Sequence, residues 1–144
     1  MSRTIMRSGA RWFLRLGLAA GFLSAVADRF GLWGPPGAPG VAWGEWSAFV
    51  SYVATLNWFA PGLLIPALAW AATVAEVLLA LGLLIGWRLR WVALASGLLL
   101  LSFAVTMTIA HGVKSPLDSS VFAAAAGAFL LAAMTTDRGP ASHV

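Results

Sequence analysis

PGLLIPALAWAATVAEVLLALGLLIG, residues Pro61 to Gly86, is an apolar run interrupted by a single acid, Glu76. About 20 consecutive apolar residues cross the roughly 30 Å of a bilayer's hydrocarbon, so the stretch reads as a transmembrane helix. A carboxyl group at that depth costs roughly 2.5 kcal/mol or more, and chains that carry one turn it toward protein, water or a partner. The stretch therefore implies a membrane protein, and a bundle with an interior for Glu76 to face.

Working outward, apolar blocks recur at about residues 12–30, 91–110 and 119–134, which with 62–86 make four spans. The chain has 144 residues, 60% of them hydrophobic and 10% charged, where a soluble domain averages about 25% charged. The expected fold is all-α: one integral membrane domain, a four-transmembrane-helix bundle with a short amphipathic helix in an outer loop at about 31–60. Trp12, Trp33, Trp58, Trp87 and Trp91 mark the span ends, as amphipathic indoles do at headgroup level. Trp70 alone lies well inside a span.

The net charge of +4 does not point to nucleic acid, because the basic residues sit at the ends of apolar blocks instead of clustering on a soluble face. Arg3, Arg7, Arg11, Arg15, Arg88, Arg90 and Arg138 fall on one side of the four spans, and only Arg29 and Lys114 on the other. That bias predicts a multi-pass membrane protein with both termini cytoplasmic. Span one also imitates a secretory signal, with Ala25-Val26-Ala27 as a cleavage-like site, but its long apolar stretch favours a retained helix. The partners implied are the lipid bilayer and either other membrane subunits or further copies of the chain.

Gly34-Pro35-Pro36-Gly37-Ala38-Pro39-Gly40 excludes a regular helix or strand and reads as a connector. Beyond it Trp46, Phe49, Val50, Val53 and Leu56 recur at helical spacing, with Ser47, Ser51 and Thr55 on another side. This predicts an amphipathic helix of about three turns ending before Pro61 and lying along the outer membrane surface, either as a packed cap over the bundle or in a membrane-binding or lid role.

Lipid tails give helices no hydrophobic reason to meet, so close approach at small residues carries the packing. Gly17, Gly21, Ser24 and Asp28 share one face of span one, Ala69, Ala72, Thr73, Glu76 and Ala80 share one of span two, and span four carries the small-residue stretch from Ala123 to Ala128. Their spacing predicts that these are the contact faces, with Glu76 turned inward.

Glu76 leads the candidate functional residues, either as a proton relay, ligand anchor or quinone hydrogen-bond partner, or as a structural carboxyl. Thr73 shares its face. Arg15 is a tempting counter-ion, but it lies nearly opposite the Gly17/Gly21 face and is expected to snorkel to the headgroups. Asp28, Arg29, His111, Lys114 and Asp118 gather at the outer span ends, where they either merely mark the interface or form a candidate pocket for a small anion or a quinone headgroup. Met107 and His111 are neighbours on one helix and cannot approach a haem iron from opposite sides, and His143 lies in the tail. No zinc, phosphate-loop or dinucleotide motif occurs, so no metal is predicted and no catalytic residue is assigned.

Four stretches carry a likeness: Gly21-Phe-Leu-Ser-Ala-Val-Ala-Asp-Arg-Phe-Gly-Leu-Trp33, Ala72-Thr-Val-Ala-Glu76 followed by Gly82, Leu101-Ser-Phe-Ala104, and Gly112-Val-Lys-Ser-Pro-Leu-Asp118 before Ser120-Val-Phe122. In these the chain resembles the DoxX/DoxD-like family of small bacterial membrane proteins. The resemblance implies a membrane subunit of a redox system, quinone-linked as in thiosulfate:quinone oxidoreductase, or alternatively a non-catalytic assembly or anchoring subunit of a larger complex. It singles out Arg15, Glu76 and the turn from Lys114 to Asp118. Some relatives exchange thiols, a chemistry this cysteine-free chain cannot run. A solute transporter is disfavoured by the lack of an inverted repeat.

Overall fold

In the computed structural model, which describes residues 3–135 with side chains from Ile5, six α-helices and one 3₁₀ turn follow one another. They are α1 (Arg3–Arg29), α2 (Trp46–Leu56), a 3₁₀ turn (Gly62–Leu64), α3 (Ile65–Ile85), α4 (Leu89–His111), α5 (Lys114–Asp118) and α6 (Val121–Met134). Arg138 and His143 lie outside the described residues.

Three stretches are long and apolar enough to cross a membrane: Ile5–Arg29, Gly62–Ile85 and Leu89–His111. The fourth expected span is the 14-residue apolar helix α6, whose length of roughly 21 Å falls short of the hydrocarbon thickness. The first span begins well before residue 12, because Arg3 to Arg11 continue the same helix. Large apolar side chains such as Phe13, Leu63 and Ile85 stand exposed along these helices, as lipid-facing positions do. The five predicted boundary tryptophans are also exposed. The Trp70 exception has a local cause: Trp46 of α2 packs on it, ring centroids 4.4 Å apart, so α2 lies beside the first turns of α3.

The four long elements run alternately up and down and pack as two pairs, α1 with α3 and α4 with α6. α4 and α6 approach closely at Gly97, where a Cβ would stand 2.6 Å from the Phe129 ring. A first core, holding Phe22, Leu83, Ala93 and Leu131, joins all four helices. A second core holds α2 onto the start of α3 through Phe49, Val53, Ile65 and Ala69. Pro66 falls in the first turn of α3, where its missing N–H leaves no helical hydrogen bond unmade.

The small-residue expectation holds for α3 and fails for α1. Ala69, Thr73, Glu76 and Ala80 are buried, whereas Gly17, Gly21 and Ser24 are exposed, and a Cβ at either glycine would meet nothing within 4 Å. Of the expected α1 face only Asp28, at its end, is buried, and the packed face of the helix is instead Arg15, Ala19, Phe22 and Arg29. Phe22 fills the space between the pairs, and each arginine needs partners that only α3 supplies, so chemistry outranks small size in setting the rotation of α1.

Candidate functional site

α1 ends at Arg29 in a Schellman turn: the Leu32 N–H donates to the Ala27 carbonyl at 3.0 Å and the Gly31 N–H to Asp28 O at 3.0 Å. This abrupt stop leaves Asp28 and Arg29 facing different ways. The Asp28 carboxylate accepts three backbone hydrogen bonds from the returning loop, from Ala42 (2.7 Å), Trp43 (3.1 Å) and Gly44 (2.9 Å). Gly44 has φ +72°, and a Cβ there would stand 2.4 Å from the Pro36 nitrogen, so only glycine fits this strap.

Arg29 reaches across to α3. Its Nη2 donates to both Glu76 oxygens, at 2.7 and 2.8 Å, and its Nη1 donates to Thr73 Oγ1 at 2.8 Å. The Thr73 hydroxyl donates onward to the Ala69 carbonyl at 2.8 Å. The guanidinium carbon sits 3.9 Å from the Phe49 ring centroid, adding a cation–π contact from α2. Arg29 is 2% exposed and Glu76 1%. A desolvated carboxylate is tolerable in such a place when a hydrogen-bonded opposite charge neutralises it. The counter-ion of Glu76 is thus Arg29, and not Arg15.

Arg15 is tied to the end of α3. It is 9% exposed and donates from Nε to the Leu83 carbonyl (2.7 Å) and from Nη2 to the Leu84 carbonyl (2.9 Å), with Trp12 stacked 3.9 Å away. These are carbonyls of the last turn of α3, which lack helical partners and carry the negative end of the helix dipole. Gly86, at φ +80°, ends α3 there, and a Cβ on it would strike the guanidinium at 2.7 Å.

The expected outer pocket does not assemble. Asp28 and Arg29 are buried in the strap and the ion pair, His111 stacks on Tyr52 with ring centroids 5.9 Å apart, and Lys114 pairs with Asp118 within α5. That last pair is exposed, 83% and 63%, and the two residues belong to one helical turn, so they face outward together.

Between the two cores lies a chamber of about 1160 Å³, bounded by α1, α3 and α4 and roofed by α2. Arg29 and Glu76 form part of its wall, beside Phe22, Trp43, Phe49 and Tyr52. Burial pushes the pKa of the Tyr52 phenol up, so it stays a hydrogen-bond donor. Of the wall, Glu76 and Arg29 were candidates in the sequence, and Phe49 was placed on the apolar face of α2. Trp43, Tyr52 and the chamber itself were missed. The available signal was the scarcity of outer cations: with only Arg29 and Lys114 on that side, Glu76 had few counter-ions to choose from.

No curated protein and no solved structure matches the chain significantly. The expected membership of the DoxX/DoxD-like family is corrected by the family that does match, a different family of membrane proteins. The stretches that suggested the likeness have structural jobs here, since Asp28 and Gly31 shape the end of α1 and Lys114 to Asp118 close a turn. Residues 7–123, most of the chain and all of its chamber wall, match the family described as methylamine utilisation protein MauE, and the chain belongs to that family.

Proposed function

We propose that this protein is a supporting membrane subunit of a methylamine-utilising redox system, one that assembles or anchors other components and does not itself oxidise the amine. Family membership supplies the system. The observation that carries the supporting role is the engagement of Glu76: both its oxygens are held by Arg29, so the one acid deep in the bundle is a neutralised structural partner. The size of the chamber agrees, because a one-carbon amine needs a space on the order of one or two water molecules, ~30 Å³ each, against about 1160 Å³. Thiol exchange is closed to a chain without cysteine. The arginine bias favours the cytoplasmic membrane with both ends of the chain on the cytoplasmic side.

The test is deletion in the source organism. Growth on methylamine should be lost and return with the wild-type chain. Membranes of the deletion strain, supplied with mature methylamine-oxidising enzyme from the wild type, should then regain methylamine-dependent electron transfer. If they stay inactive until this subunit is restored, it lies in the electron path and the supporting role is wrong.

A further inference from the structure

The chamber does not end among its own walls. A second cavity of about 530 Å³, lined by Ala75, Leu78, Leu79, Ala95, Leu98 and Leu99, runs on between α3 and α4 and shares Ala75 and Leu99 with it. The two halves differ in chemistry. The groove has only apolar residues, and Leu78 and Leu98 are exposed on helices that face hydrocarbon. The chamber carries polar groups toward α2 and α5, among them Tyr52, Asn57, Thr106 and Ser119.

We propose that chamber and groove together hold one molecule of an uncharged, single-chain membrane lipid, its oxygen-bearing head beside Tyr52 and Asn57 and its chain along Ala75 and Leu99. Three observations favour that occupant. A polar compartment opening into an apolar groove matches a molecule with one polar end and one hydrocarbon chain. The wall is electrically balanced, because its one cation, Arg29, is already paired with its one anion, Glu76, so nothing compensates the desolvation of a charged head. The head meets both kinds of hydrogen-bonding group: the Tyr52 hydroxyl makes no bond among the described residues, whereas Thr106 and Ser119 already donate to carbonyls of the preceding helical turn and offer lone pairs. The aromatic wall of Phe22, Trp43, Phe49 and Tyr52 accepts a flat ring as well as a carbonyl ester. Isoprenoid quinones and monoacylglycerols share this chemistry.

The inference stands apart from the methylamine reading and is tested on the isolated protein. Wild type and three variants are purified in mild detergent, extracted with solvent and analysed by mass spectrometry and ultraviolet absorbance. Ala75→Trp blocks the junction, Tyr52→Phe removes one hydroxyl, and Gly17→Leu adds bulk at an exposed position of α1 that does not line the chamber. Each delipidated protein is then titrated with decyl-benzoquinone, monoolein and lysophosphatidylcholine, reading the thermal midpoint. Wild type and Gly17→Leu should retain close to one equivalent of a neutral single-chain lipid, or be stabilised by the matching probe. Ala75→Trp should lose at least tenfold in affinity, and Tyr52→Phe about fivefold, as expected for one neutral hydrogen bond. Quinone absorbance or glyceride mass decides the source. Should Ala75→Trp not fold, Leu99→Trp blocks the same junction from α4. Equal binding by wild type and the blocked variant, preference for the zwitterionic lysolipid, or no response to any probe would overturn the proposal.

Discussion

Arg15 and Arg29 lie on the same face of α1, about four turns apart, and both are buried, yet they are stabilised in opposite ways. Arg15 has no carboxylate partner among the described residues: it borrows the unpartnered carbonyls of Leu83 and Leu84 and the face of Trp12. Arg29 has a complete anion, Glu76, together with Thr73 and the Phe49 ring. The difference teaches what burial demands at each depth. Close to a helix end, partial backbone charges of roughly half an electron and residual exposure suffice. Inside the bundle the backbone carbonyls are already bonded within α3, and a full counter-charge is required.

The strongest way to break this contrast is to remove one member of the inner pair. Arg29→Ala and Glu76→Ala should each destabilise the protein by about 3–5 kcal/mol, because each strands a buried charge. The double replacement Arg29→Met with Glu76→Leu should recover most of that loss in a denaturation series in detergent. Wild-type stability in either single variant would mean that the pair carries nothing.

A smaller effect is expected next door. Asp28→Ala strands the Ala42, Trp43 and Gly44 amides and should cost about 2–3 kcal/mol. Limited proteolysis should then cut the Gly34–Gly40 segment faster while the Arg15 end keeps its protection. Uniform loss of protection along the chain would show that the strap and the bundle open as one unit.

Arg15→Leu should cost less again, about 1–2 kcal/mol, the scale of a helix-end charge interaction in a partly buried setting. Arg15→Lys should restore part of it, since an ammonium reaches a carbonyl but does not stack as a guanidinium does. If Arg15→Leu proved as damaging as Arg29→Ala, the depth argument would be wrong. The smallest change is expected at Gly17→Leu, within about 0.5 kcal/mol, because a side chain begun there meets nothing within 4 Å. A large loss of assembly there would mean that another helix covers it in the membrane.

Several of these contrasts were legible in the sequence and several were not. The cap helix follows from the period of Trp46, Phe49, Val53 and Leu56, and α2 packs through Phe49, Val53 and Leu56. The inward turn of Glu76 follows from the cost of a carboxyl group in hydrocarbon. The glycine face of α1 misled, because small residues permit close packing without requiring it. The outer polar cluster misled in another way: Asp28, Arg29, His111, Lys114 and Asp118 share a depth, and depth alone does not bring side chains together.

By itself the sequence determined the medium, the apolar helices and the need to shelter one acid, since these depend on the length and transfer free energy of local stretches. Only the tertiary structure decided that Arg29, 47 residues away, is the partner of Glu76, that Arg15 closes the end of α3, and that a chamber opens between two cores. Those outcomes depend on how each helix is rotated about its axis, which is set by all of its neighbours together and not by the order of its own residues.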